Sequence, residues 1–141
     1  MKLEVQYNGQ VQTYDIESIP TAKSGVINIG RKCKNVWNTI AIDSDTVDPF
    51  QCQLIGCVGG SWRITDGQNR TECPKGLLSS KVVPCNGCLE RCVNIHAGRP
   101  KYYQRVPQTA TLINGMPIKE YGSTINIGDI ITIGDVAITV G

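Results

Sequence analysis

Four cysteines, Cys73, Cys85, Cys88 and Cys92, fall in the spacing Cys-x11-Cys-x2-Cys-x3-Cys. Thiolates are soft ligands. A Cys-x-x-Cys turn brings two sulfurs to one ion while backbone amides support them, and a second pair completes the tetrahedron that zinc prefers. The spacing therefore predicts a structural zinc. His96 follows Cys88 and Cys92 at four-residue steps, one face of a short helix, so it either replaces a cysteine or packs beside the site. This stretch has few large apolar residues to fold around, and zinc supplies about 10–16 kcal/mol of apparent binding energy to such pieces. Two disulfides or four free thiols are the alternatives. A redox role for Cys85-Asn86-Gly87-Cys88 fits less well, because a reactive pair normally opens a helix within a βαβ unit, and no such unit is apparent.

A second chemistry is set up at Val26-Ile27-Asn28-Ile29-Gly30-Arg31. Ile27 and Ile29 alternate with the residues around them, the period of a half-buried strand, and Gly30 lets the backbone bend so that Arg31 leaves the sheet. A guanidinium at the mouth of a rigid sheet can take a carboxylate or phosphate through two parallel hydrogen bonds, which a lysine cannot. Three cations in five residues continue from there, Arg31-Lys32-Cys33-Lys34-Asn35.

The elements that would position these residues are short strands. Leu3 to Tyr7 and Val11 to Ile16 flank Asn8-Gly9, the pair most suited to a type I′ hairpin turn. Asn38 to Asp43 places Ile40 and Ile42 on one face, and Asp43 to Pro49 reads as an acidic loop. Gln51 to Val58 and Ser61 to Thr65 form a second hairpin about Gly59-Gly60, with Cys52, Leu54 and Val58 on one face and Trp62 and Ile64 inward. Cys52 is expected in the core and Cys57 on the opposite face. Ala110 to Asn114, Ile125 to Ile127, Asp129 to Ile133 and Val136 to Val140 continue the series, with turns at Asn114-Gly115 and Gly134-Asp135. Many short strands with regular turn signals predict an all-β, antiparallel β-sandwich, its loops gathered at two ends.

At 141 residues the chain suits one domain, 1–141. Its hydrophobic fraction of 40% and charged fraction of 18% exclude wholesale disorder, and no run reaches transmembrane length. No signal peptide is visible at the N-terminus, so the expected compartment is the cytoplasm, where an odd count of 7 cysteines also argues for thiols or metal over a disulfide framework. Net charge is +2, but residues 73–108 carry six basic residues against one acid, while the remainder carries eight against eleven. Residues 73–108 are thus a basic, cysteine-rich insertion.

In order, these pieces resemble the forkhead-associated (FHA) domain, a β-sandwich family that reads phosphothreonine in partner proteins. The resemblance is carried by Ile29-Gly30-Arg31, Asn38 to Asp43, Val47 to Leu54, Trp62 to Asp66, Leu112-Ile113-Asn114-Gly115 and Ile127-Gly128-Asp129-Ile130-Ile131-Thr132-Ile133-Gly134. It spans everything outside 73–108. It implies that Arg31 holds the phosphate, and that the loop around Asp48, together with Asn69 and Asn114, contacts the phosphopeptide. The family's assisting serine falls at Asp48 and its structural histidine at Gln51. A carboxylate at Asp48 would repel a phosphate or pair with Arg31. The family's Ser-x-Asn-Gly-Thr loop is split by the insertion, so that either Asn69 or Thr109 supplies its asparagine position, with Asn69 preferred.

One histidine, no phosphate-cradling glycine loop and no Ser/His/Asp spacing argue against an enzyme. The expected function is a non-catalytic protein-interaction module, possible partners being phosphothreonine-containing segments. The alternatives are a scaffold that has lost phosphate binding and docks an unmodified protein through its insertion, or a nucleic-acid contact through Arg99-Pro100-Lys101-Tyr102-Tyr103-Gln104-Arg105. That last run reads more simply as a solvated loop arm.

Overall fold

Alternation of Leu3 and Val5 with polar residues, followed by Asn8-Gly9, builds the first hairpin. Strands β1 (Lys2–Tyr7) and β2 (Gln10–Asp15) pair antiparallel, and Asn8 and Gly9 take φ of 50° and 70°, the type I′ signature. The computed structural model describes residues 1–19, 25–32, 37–70, 103–105, 109–119 and 122–141, with 69, 70 and 103–105 described through their backbone alone. A single 3-10 turn, Ile16–Ser18, follows β2.

The chain continues through β3 (Val26–Arg31), β4 (Ile40–Ile42), β5 (Cys52–Gly56), β6 (Trp62–Asp66), β7 (Gln68–Arg70) and β8 (Tyr103–Arg105). It closes with β9 (Thr111–Ile113), β10 (Met116–Pro117), β11 (Ser123–Ile125), β12 (Ile130–Ile133) and β13 (Val136–Val140). A six-stranded sheet in the order β10-β9-β12-β13-β1-β2 faces a five-stranded sheet in the order β11-β6-β5-β3-β4. Between them Leu3, Ile131 and Ile138 from one side meet Ile27, Ile29, Leu54 and Ile64 from the other, all at 0% exposure. The expected all-β sandwich is the observed architecture.

Several local expectations change. Arg31 does not leave the sheet: β3 runs through it, paired in parallel with Ile42 of β4, while the other strand pairings among the described residues are antiparallel. Gly30 is not a bend but a place where another part of the chain comes close. Val58 is fully exposed rather than aligned with Cys52 and Leu54, because β5 ends at Gly56 and the hairpin loop begins before it. The strand expected at Ile125 to Ile127 lies earlier, at Ser123–Ile125, and Ile127 is left exposed ahead of the Gly128 turn. Tyr103–Arg105, expected within a loop arm, is a strand paired with Gln68–Arg70. The two form a separate two-stranded ribbon.

Candidate functional site

Arg31 sits where the five-stranded sheet reaches its loop end. Its backbone is held three ways: its N–H donates to the Asp48 carbonyl at 3.1 Å, its carbonyl accepts from Asn38 Nδ2 at 3.4 Å, and the next N–H, of Lys32, donates to the Ile42 carbonyl at 2.9 Å. The side chain is half-buried, and among the described residues no hydrogen bond or ion pair engages its guanidinium. A fixed backbone with an unengaged planar cation is an anion-binding arrangement.

The approach of the Asp48-Pro49-Phe50 loop explains Gly30. Asn38 Nδ2 also donates to the Pro49 carbonyl at 2.9 Å, and the loop lies so close to β3 that a Cβ on residue 30 would overlap Pro49. Within the loop, Asp48 Oδ1 accepts the Phe50 N–H at 2.9 Å, closing an Asx-type turn, while Phe50 is buried at 1% exposure. One carboxylate oxygen of Asp48 thus caps its own loop, and the hydrogen bond seen between Asp48 and Arg31 runs through the backbone.

Gln51 is fully buried and braces this loop from below. Its Oε1 accepts the Asp48 N–H at 2.9 Å, and its Nε2 donates to the Thr109 carbonyl at 2.7 Å and to Thr111 Oγ1 at 2.9 Å. Thr111 Oγ1 in turn donates to Asp66 Oδ1 at 2.8 Å. Burial raises the Asp66 pKa, against the lowering effect of its bonds from Thr111 and the Gly67 N–H. Burial, then the nearby Asp66 charge, pushes the Cys52 thiol far up, so Cys52 is an inert core residue.

The amide of Gln68 is the largest feature that the sequence did not reveal. Buried at 1% exposure, it donates from Nε2 to Asn38 Oδ1 at 2.8 Å, to the Ile29 carbonyl at 2.9 Å and to the Cys52 carbonyl at 3.1 Å. A glutamine after Gly67 carries no periodicity that would mark it as core.

Asp135, in the turn between β12 and β13, accepts from Ser44 Oγ at 2.6 Å and from Thr46 Oγ1 at 2.5 Å, tying the turn to the β4–β5 loop. Those hydroxyls hold its carboxyl below the ordinary value of 3.8.

Arg31, Asp48, Gln51 and Thr109 therefore gather at one end of the sandwich. Asn69 lies in β7 opposite Gln104, not in a loop. Asn114 is not brought to this end: it lies beyond the far end of β9, where its Nδ2 donates to Asp129 Oδ1 at 2.9 Å and its Oδ1 accepts the Ile130 N–H at 2.9 Å. Its amide braces a turn, which separates it from a ligand held at Arg31. Cys73, Cys85, Cys88, Cys92 and His96 lie outside the described residues, as do Arg99 to Tyr102.

No protein-family model matches the sequence, and no curated protein matches it as a relative. Solved structures do match in fold. The Slr1951 protein from Synechocystis sp. is 17% identical with a TM-score of 0.59, over 98% of this chain and 93% of that one. The FhaA FHA domain, solved in complex with the intracellular domain of Rv3910, is 14% identical with a TM-score of 0.55, over 98% and 96%. The N-terminal FHA domain of Rad53p from S. cerevisiae, solved with a phosphothreonine peptide, is 14% identical with a TM-score of 0.51, over 100% and 94%. The sandwich is thus the fold of FHA domains.

Proposed function

We propose that the chain is a non-catalytic protein-interaction module whose Arg31 end receives a phosphothreonine-containing segment of a partner protein. The observation that carries this reading is the Arg31 guanidinium, unengaged among the described residues on a backbone fixed by Asp48, Asn38 and Ile42. Phosphate oxygens would take its two parallel N–H groups, with Lys32 next in the chain adding positive potential. The carboxylate of Asp48 spends one oxygen on the Phe50 N–H, which reduces its repulsion of an incoming phosphate. The ligand-bearing FHA domains of the same fold support the choice of ligand class.

The reading sets the module in the cytoplasm, where thiolates persist, and assigns zinc to Cys73, Cys85, Cys88 and Cys92. Among the described residues no helix is long and apolar enough to cross a membrane.

The test is a matched titration of phosphothreonine, phosphoserine and unphosphorylated peptide pools against the wild-type chain and Arg31→Ala. Binding that requires phosphothreonine and drops about 100-fold in Arg31→Ala is expected, since losing a bidentate charged contact costs about 3 kcal/mol. Equal binding of phosphorylated and unphosphorylated pools would overturn the reading.

A further inference from the structure

We infer that Gln68 is a positioning residue that locks the β7–β8 ribbon to the Arg31 site, so that opening the ribbon loosens that site. This rests on the reading of Arg31 as the phosphate-binding group, and it adds a route by which that site is regulated. The β3–β5–β6 ladder runs out at Ile29, Cys52 and Asp66, the last paired residues at this end of the sheet's centre. There the carbonyls of Ile29 and Cys52, which face each other across the β3–β5 pair, take a further donor from beyond the ladder's end. That donor is the Gln68 amide, whose two N–H groups serve both carbonyls and Asn38 Oδ1. Asn38 passes the constraint on, because the same side chain donates through Nδ2 to the carbonyls of Arg31 and Pro49.

One buried chain of hydrogen bonds therefore runs from the ribbon through Gln68 and Asn38 to the backbone on both sides of Arg31. Its other anchor is the pairing of Gln68 with Arg105 across the ribbon. Gly67 makes the connection sharp: at φ 75° it turns the chain between β6 and β7, and its N–H donates to the Gln51 carbonyl at 2.8 Å. A partner or an event that separates β8 from β7 removes the support that keeps Gln68 in place. Buried polar networks of this kind act as units, because a partly satisfied one is costly.

Gln68→Met in the full chain tests the coupling, since methionine keeps the length and most of the volume while removing every donor. The first readout is amide hydrogen exchange. Protection of the Arg31 and Lys32 amides should fall about tenfold, while the Gly56 and Gly128 amides, bonded to the Gly25 and Val140 carbonyls at the opposite end, keep wild-type protection. Equal loss at both ends, or none at Arg31, would overturn the inference. The second readout is phosphothreonine peptide affinity, measured beside Arg31→Ala. If wild type binds and Arg31→Ala does not, Gln68→Met should bind about tenfold more weakly, and unchanged affinity sinks the coupling. If wild type binds no phosphopeptide, the phosphate reading fails by itself, and the exchange pattern decides the coupling.

Discussion

Gly30→Ala is the sharpest perturbation of the Arg31 end. Gly30 is not among the glycines at positive φ, so conformation does not demand it; space does. A methyl built there overlaps the Pro49 carbonyl oxygen and lies 2.6 Å from Asn38 Nδ2 and 2.8 Å from the Pro49 carbonyl carbon. Two of these atoms are backbone. The third cannot swing away cheaply, because Asn38 is held to Pro49 at 2.9 Å and to Gln68 at 2.8 Å. Either β3 or the loop must move by several tenths of an ångström, and the Asn38–Pro49 and Arg31–Asp48 bonds stretch with it. Overpacking costs about 1–3 kcal/mol and leaving one of those buried groups unpaired costs about 1–3 kcal/mol more. At ~3 °C per kcal/mol for a chain of this size, melting should fall by roughly 6–18 °C. The comparison is Gly9→Ala, where φ is 70° and nothing lies within 4 Å of a Cβ, so only backbone strain of ~1–2 kcal/mol applies. Thermal melts of the three proteins, at equal concentration, are the assay. A Gly30→Ala protein that melts within about 2 °C of wild type, or above Gly9→Ala, refutes the close-approach account.

Two further predictions concern charge and metal. Carboxyl titration by NMR should place Asp135 below the ordinary value of 3.8 and Asp66 above it. For Asp135 the folded pKa is lowered, so its contribution is present above the unfolded value and is lost as pH falls through the folded one; for Asp66 the folded pKa is raised, so its contribution is full below the unfolded value and fades as pH rises through the folded one. Removing both hydroxyls with Ser44→Ala and Thr46→Val should return Asp135 toward 3.8, and an unmoved titration would show that they do not set it. Protein purified without added metal should carry about one zinc per chain by elemental analysis, lost when Cys85 and Cys88 are replaced by serine. No zinc in the wild-type chain ends the structural-metal proposal.

The sandwich was legible because its signals are local. Asn8-Gly9 announces a hairpin through two residues that tolerate positive φ, and the alternation at Ile27, Ile29 and Ile40, Ile42 marks buried faces without reference to anything distant. Arg31 was legible as a strand-end cation for the same reason. What supports it was not, because Gln51 acts across 60 residues on Thr111 and Gln68 acts across 39 on Ile29. A buried amide looks, in sequence, like any surface amide. Gly30 was misread for a related cause: a glycine that makes room for another loop carries the same letter as one that bends. Asn114-Gly115 was legible as a turn, but its placement away from Arg31 follows from the direction of β9, which only the pairing with β12 defines.

The bracing around Arg31 also has a chemical character that the arginine alone does not reveal. Asn38, Gln51 and Gln68, three neutral amides buried at 5%, 0% and 1% exposure, hold the backbone of β3, of the Asp48 loop and of the Thr109 segment. An amide donates and accepts at once and does not titrate, whereas the histidine that the FHA resemblance expects at position 51 would change its bonding near neutral pH. A histidine ring also has one acceptor at most, and none when protonated. Gln51 accepts from Asp48 while donating to two partners, an arrangement that a neutral histidine could only half reproduce. The amide bonds that brace the Arg31 end should therefore persist across the pH range in which a phosphate's second proton dissociates, near 6, and the titrating carboxyl that touches them is Asp66, through Thr111. A pH dependence of phosphopeptide binding that survives Asp66→Asn would report the charge of the ligand, and one that disappears would report the site.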